Sequence, residues 1–171
     1  PYTTLFRSPK QLNEIGFDVI LGNAFHLFLR PGLDVIKKFN GLHKFMGWNK
    51  SILTDSGGFQ IWSLKELREI TNDGVIFKSP LDGKKIFITP EDSIKIQLTL
   101  NADIIMAFDD CTSYPASLNQ VKKSMDLTHN WAERCKNYFD KNSKGHMLFG
   151  IVQGGMHKEL RKESLETITN I

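Results

Sequence analysis

Four short apolar runs, each separated from the next by a helical stretch, constrain the fold of this chain more than any other feature. They are Phe17–Leu21, Ser51–Thr54, Asp103–Phe108 and Met147–Val152. None alternates apolar with polar, so each reads as a strand buried on both faces. Strands of that kind, spaced by helices, argue for a parallel sheet in an α/β fold. All four end in polar or glycine-rich residues: Gly22-Asn23, Asp55-Ser56-Gly57-Gly58, Asp109-Asp110-Cys111 and Gln153-Gly154-Gly155. Parallel α/β folds, whether barrels or open sheets, carry their sites at the carboxyl ends of strands. Four such ends converging point to a ligand. A doubly wound sheet stays open at this level, but no G-x-G-x-x-G or P-loop is present to cradle a nucleotide.

The connecting stretches support that outline. Pro9–Ile15 has Leu12 and Ile15 at helical spacing with Gly16 as a stop, and Leu33–Asn40 repeats the pattern with Leu33, Ile36 and Phe39 before Gly41. Phe25–Leu29 continues apolar up to Arg30-Pro31-Gly32, and Trp62, Leu64 and Leu67 belong to a loop or short helix. Gly74–Thr89 breaks the rhythm: Val75-Ile76-Phe77 and Ile86-Phe87-Ile88 flank Leu81-Asp82-Gly83, which predicts a β-hairpin insertion. Thr89-Pro90-Glu91-Asp92 opens a helix with Ile94 and Leu98 facing inward. Ser117 to about Asp140 gives the clearest helix, with Ser117 and Gln120 as a capping box and Leu118, Val121, Met125, Thr128, Trp131, Cys135 and Tyr138 along one stripe. A last amphipathic helix aligns Leu160, Ser164, Ile168 and Ile171. No linker, repeat or low-complexity tract divides the chain.

Composition narrows the functional classes. With 171 residues, 40% of them hydrophobic, there is material for one core. A net charge of +3 from scattered lysines permits a nucleic-acid partner without demanding one. Cys111 and Cys135 lack metal-ligand spacing, and the five histidines form no H-x-x-x-H pair, so no metal site is visible and a reducing, cytoplasmic setting is expected. Neither a signal peptide nor an apolar run of about 18 residues is found, so no membrane association is expected. Pro1–Ser8, P-Y-T-T-L-F-R-S, reads as translated sequencing adapter, which leaves 9–171 as the domain to be explained and suggests a fragment of a longer protein.

The strand ends suit a planar, polar ligand. In T-D-S-G-G-F-Q (Thr54–Gln60), Gly57 and Gly58 let the backbone approach a flat ring, and Phe59 offers a stacking face. A tight strand-to-helix turn with Asp55 as N-cap would use the same residues. Asp109 or Asp110 can accept N–H bonds from a ring edge, and Gln153 suits a carbonyl beside a ring nitrogen. Asp55 is the expected acid or base, its pKa raised by neighbouring carboxylates. Two carboxylates across a glycosidic bond could act as acid/base and nucleophile.

L-G-N-A-F-H-L-F-L-R-P-G (Leu21–Gly32), T-D-S-G-G-F-Q, F-D-D-C (Phe108–Cys111) and G-I-V-Q-G-G (Gly150–Gly155), in this order, closely resemble the tRNA-guanine transglycosylases, also called queuine tRNA-ribosyltransferases. The resemblance runs from about Pro9 to Ile171. It implies a (β/α)8 barrel, incomplete in this chain, and exchange of the anticodon wobble guanine of tRNA for a 7-deazaguanine on the route to queuosine. It implies Asp55 as general acid/base; Ser56, Gly57, Gly58 and a stacking Phe59 as pocket lining; and Asp109 and Gln153 as readers of the purine edge. Asn23 and, more weakly, Leu21 would share the pocket. Cys111 matches the bacterial pattern, hence the aminomethyl-deazaguanine precursor. His26 and Arg30 match the motif as braces of a barrel loop, Asp110 as an outward or capping acid, and Cys135 as core.

The family's covalent Asp nucleophile and its structural Zn2+, held by Cys-x-Cys-x-x-Cys and a later His, match nothing here and are expected downstream of Ile171. The resemblance also implies a homodimer. This polypeptide alone is expected to be inactive. A non-catalytic partner subunit that binds RNA or a paralogue is the alternative, but such subunits typically lose pocket residues that are present here. A different carboxylate-pair glycosidase on the same barrel is a remoter alternative.

Overall fold

The computed structural model describes residues 8–64 and 68–171. The reading of residues 1–8 as adapter lies outside this range except for Ser8, and so does Leu67. Ser8 caps α1 (Pro9–Ile15), its side chain accepting from Gln11 N–H, and Gly16 closes the helix in a left-handed conformation.

Four parallel strands form the central sheet: β1 (Val19–Gly22), β2 (Ser51–Thr54), β6 (Ile104–Met106) and β7 (Met147–Phe149). Their spatial order is β1-β2-β6-β7, the order of the chain. Between β1 and β2 run α2 (Ala24–Leu27), a wide turn over Phe28–Gly32, α3 (Leu33–Lys38) and α4 (Leu42–Met46). α5 (Gly58–Ser63) follows β2. Helices α6 (Pro90–Leu100), α7 (Leu118–Asn142) and α8 (Lys158–Thr169) complete the crossovers. α3 packs on α6, α6 on α7, and α7 on α8, one continuous layer. A doubly wound sheet reverses its strand order and places helices on both faces. Neither is seen among the described residues.

The sheet's two faces differ. Gly22, Thr54, Ile105 and Leu148 are in register, and of these Thr54 and Ile105 are fully buried beneath the helices. The neighbouring row is Leu21, Leu53, Ile104 and Met147, with Leu21 65% and Met147 51% exposed. Val19 and Phe149, on the outer strands, are exposed as well.

The expected hairpin gains a strand. β3 (Arg68–Ile70), β4 (Val75–Lys78) and β5 (Lys85–Ile88) make an antiparallel sheet of order β3-β4-β5. It is fixed to α7 where Trp131 Nε1 donates to the Asn72 carbonyl at 2.8 Å, and Arg134 makes two 2.7 Å bonds to Glu91 at the start of α6. Arg-Glu-Ile carries too few β-formers to announce a strand. α6 begins at the expected Thr89 cap with Pro90 in its first turn, and α7 at the Ser117–Gln120 box. Leu118 departs from its predicted stripe. It is exposed, while Val121 in the same turn is buried.

Candidate active site

Asp55 follows β2 directly, where the β1 end can reach it. Its Oδ2 accepts from Asn23 Nδ2 at 2.8 Å and its Oδ1 from Ala24 N–H at 2.9 Å. Asn23 Oδ1 in turn caps α2 through His26 N–H at 3.1 Å. Asn23 is therefore locked by a short helix while it orients the carboxylate. The local alternative, Asp55 as the N-cap of α5, fails: Gly57 occupies the cap, in the left-handed region at φ 80°, with no side-chain bond. Burial raises the Asp55 carboxyl above the usual range, against the pull of Ala24 and Gly57 N–H and the Gln60 amide. The expected cause, neighbouring carboxylates, is not the operative one; desolvation is.

Asp109 is only 9% exposed, and burial pushes its carboxyl up to about 6. Asp110 adds to the rise; Cys111 and Ser56 oppose it. Its Oδ2 accepts from Gln153 Nε2 at 2.9 Å and from Cys111 Sγ at 3.6 Å, and its Oδ1 from Ser56 Oγ at 3.4 Å. The ends of β2, β6 and β7 thus converge on one carboxylate. A carboxylate has about four acceptor positions, so three are filled from inside the protein and an entering donor pair must displace some of them. Cys111 is pushed up to about 12 by burial and by Asp109, which keeps it a thiol that donates. Gly58 is required by proximity: a Cβ there would stand 2.8 Å from the Asp109 carbonyl and 3.0 Å from its Oδ1.

Phe59 is 60% exposed, with its ring nearly parallel to Trp62 at 5.5 Å between centroids and 25°. One face is supported by Trp62 and the ring stays open to a partner. Asp110 departs from the outward role expected of it. It is half-buried, its N–H donates to Thr128 Oγ1 at 3.0 Å and its carbonyl accepts from Ser124 Oγ at 2.9 Å, and its carboxyl, raised by burial, feels the Arg68 guanidinium. Cys135 is core, as expected.

The sequence reading missed Gln97. Where the β2–β6 ladder ends at Thr54↔Ile105, both main-chain groups of the next residue, Met106, are taken by Gln97: Met106 N–H donates to its Oε1 and its Nε2 donates to the Met106 carbonyl, each at 2.9 Å. Thr54 Oγ1 donates to the same Oε1 at 3.0 Å, and Ser93 Oγ holds the Ser56 carbonyl at 2.8 Å. A buried amide side chain stands in for a strand where β2 and β6 part. Gln97 lies three residues after Ile94 on the inward face of α6 and is wholly buried; periodicity places it there but does not tell that its amide is used.

Against this geometry, the family described as Queuine tRNA-ribosyltransferase matches residues 3–171. The chain belongs to that family. A queuine tRNA-ribosyltransferase from Psychrobacter sp. (strain PRwf-1) is 53% identical over 163 residues, 95% of this chain and 43% of the relative. That of Psychrobacter cryohalolentis is 55% identical over 163 residues, again 95% and 43%. That of Janthinobacterium sp. (strain Marseille) is 56% identical over 163 residues, 92% and 44%. The chain therefore spans less than half the length of these queuine tRNA-ribosyltransferases. The four-motif resemblance and the family agree.

Proposed function

We propose that this chain is the base-recognising half of a (β/α)8-barrel tRNA-guanine transglycosylase, exchanging the wobble guanine of tRNA for a 7-deazaguanine. The observation that carries the reading is the Asp109–Gln153 pair, a buried carboxylate and an amide bonded at 2.9 Å from adjacent strand ends. Ionised, Asp109 accepts from the ring N–H and the exocyclic amino group of guanine, while the Gln153 amide donates to the neighbouring ring carbonyl. The same edge is present on a deazaguanine, so one pocket serves both the departing and the incoming base. Ser56, Gly57 and Gly58 line the pocket with backbone, and Phe59 covers a ring face.

Asp55 holds and returns the proton of the exchange. Its raised pKa favours a protonated carboxyl when guanine leaves, and the carboxylate takes a proton from the incoming base. The Asn23 and Ala24 bonds aim it. The covalent enzyme–tRNA intermediate of this double displacement forms on an Asp supplied by the remainder of the barrel. The monotonic strand order and single helix layer support such a barrel. Cys111 supports the aminomethyl-deazaguanine as incoming base, and the working form proposed is a cytoplasmic homodimer.

The residues here do not fit the family's zinc. Among the described residues no three His, Cys, Asp or Glu group to hold a metal, and Cys135 is tied instead to Phe108 N–H and the Pro90 carbonyl. No step proposed for these residues runs through zinc.

The test uses the complete protein that carries this chain, with labelled guanine and tRNA bearing guanine at the wobble position. Asp109→Ala abolishes base binding, whereas Asp55→Asn spares most of it and stops exchange. Equal loss of base binding in both would refute the division of roles.

A further inference from the structure

We propose that His129 and Ser164 position the strand end that carries Gln153, so that a histidine in the helix layer braces the base pocket from behind. The proposal rests on Gln153 being a base ligand. Gln153 N–H donates to Ser164 Oγ at 2.9 Å, and His129 Nε2 lies 2.9 Å from the same oxygen. Ser164 is wholly buried on α8, and His129 is half-buried on α7. The backbone beyond Gln153 is pressed against α8 as well: a Cβ on Gly154 would stand 2.6 Å from Arg161 N and 2.7 Å from the Leu160 carbonyl carbon. Beside that packing, Ser164 supplies the hydrogen bond that fixes the level of Gln153 on α8.

The proton count assigns the direction of the chain. Ser164 Oγ accepts from Gln153 and meets no other acceptor for its own proton among the described residues, so we assign that proton to His129 Nε2, the bare nitrogen of a neutral ring. A hydroxyl that donates is polarised into a better acceptor, and the Gln153 bond gains by it. Protonated His129 reverses the second bond, and Ser164 must then accept twice and send its proton elsewhere in a buried site. Burial holds the imidazole below its ordinary range, with Lys122 acting in the same sense and Asp126 and Glu163 opposing. Lys122, on α7, bonds both Asp126 at 2.6 Å on its own helix and Glu163 at 2.8 Å on α8, so the charges around His129 come from both helices.

The test is amide exchange at Gln153 in the complete protein, expressed as protection relative to the unfolded rate between pH 5 and 8. In the wild type, protection falls several-fold as pH drops through the His129 range. Ser164→Ala lowers it about tenfold at every pH. His129→Gln, whose amide oxygen can still accept from Ser164, retains protection and loses the pH dependence. Wild-type protection that is flat with pH, or a His129→Gln variant that titrates like the wild type, overturns the proposal. Guanine affinity, measured in parallel, falls with protection in Ser164→Ala. Loss of protection without loss of affinity would uphold the brace and refute Gln153 as a base ligand.

Discussion

Burial lifts the Asp109 carboxyl to about 6, so near neutral pH the protein holds a charge that its surroundings disfavour. A group whose proton affinity is higher folded than unfolded stabilises the fold fully below its unfolded pKa, near 3.8, and that contribution is lost as pH rises through about 6. Asp109→Asn, neutral throughout, is therefore expected to raise stability at pH 7 by on the order of 2 to 3 kcal/mol and to make no difference near pH 3.5. Thermal unfolding at the two pH values checks this; a lower melting temperature at pH 7 would count against it. The same titration governs the ligand: a protonated Asp109 offers one acceptor fewer and a donor in its place. Guanine binding by the complete protein, followed by calorimetry, is expected to weaken as pH falls through about 6. Asp55, Asp109 and Gln153 stand out in the sequence because each closes an apolar run with a polar side chain. Gln97 on the inward face of α6 and Ser164 on the apolar stripe of α8 were placed by periodicity alone, and nothing local tells a buried amide or hydroxyl that is used from one that is tolerated.

Strand lengths were read too generously for a physical reason. Asp103–Phe108 and Met147–Val152 are apolar through their last residues, but pairing stops at Met106 and Phe149. Ala107 and Phe108 remain buried after the ladder ends, and Phe108 stacks on Trp131 at 5.0 Å. An apolar run does not report where pairing stops, which has to be found by geometry. Gln97 is the element-scale case. Gln97→Leu keeps the bulk and removes the partners of Met106 N–H, the Met106 carbonyl and Thr54 Oγ1, which predicts a loss of about 3 kcal/mol or more. Denaturant unfolding measures it, and a change below about 1 kcal/mol would mean that β2 and β6 close up without the amide. Gly58→Ala sets a methyl against the Asp109 carbonyl and is expected to reduce guanine affinity while leaving the helix α5 intact, as circular dichroism and calorimetry together would show.

At the scale of the molecule, helices cover one face of the parallel sheet and the row through Leu21, Leu53, Ile104 and Met147 is left partly open. An apolar row of this kind on a four-stranded parallel sheet is a surface awaiting a cover. The 171-residue chain by itself is expected to bind an apolar dye and to associate at micromolar concentration. Leu21→Lys should lower both in this chain. Dye binding unchanged by the substitution would show that another surface is responsible. The parallel sheet and its helix layer were legible from the order of runs and stops; the choice between barrel and open sheet was not, because periodicity does not report spatial strand order.

Each strand of the parallel sheet pairs with the next of its strands along the chain. That order has a consequence in time. A ribosome delivers β1 before β2, β2 before β6 and β6 before β7, so every rung can close as its second strand emerges. Synthesis proceeds at roughly 5 to 20 residues per second, slow beside the pairing of neighbouring segments. The growing sheet therefore has nothing to wait for along its length, while its open row stays uncovered for as long as nothing packs against it. Chaperones that hold apolar surface would find it during that interval and lose it afterwards.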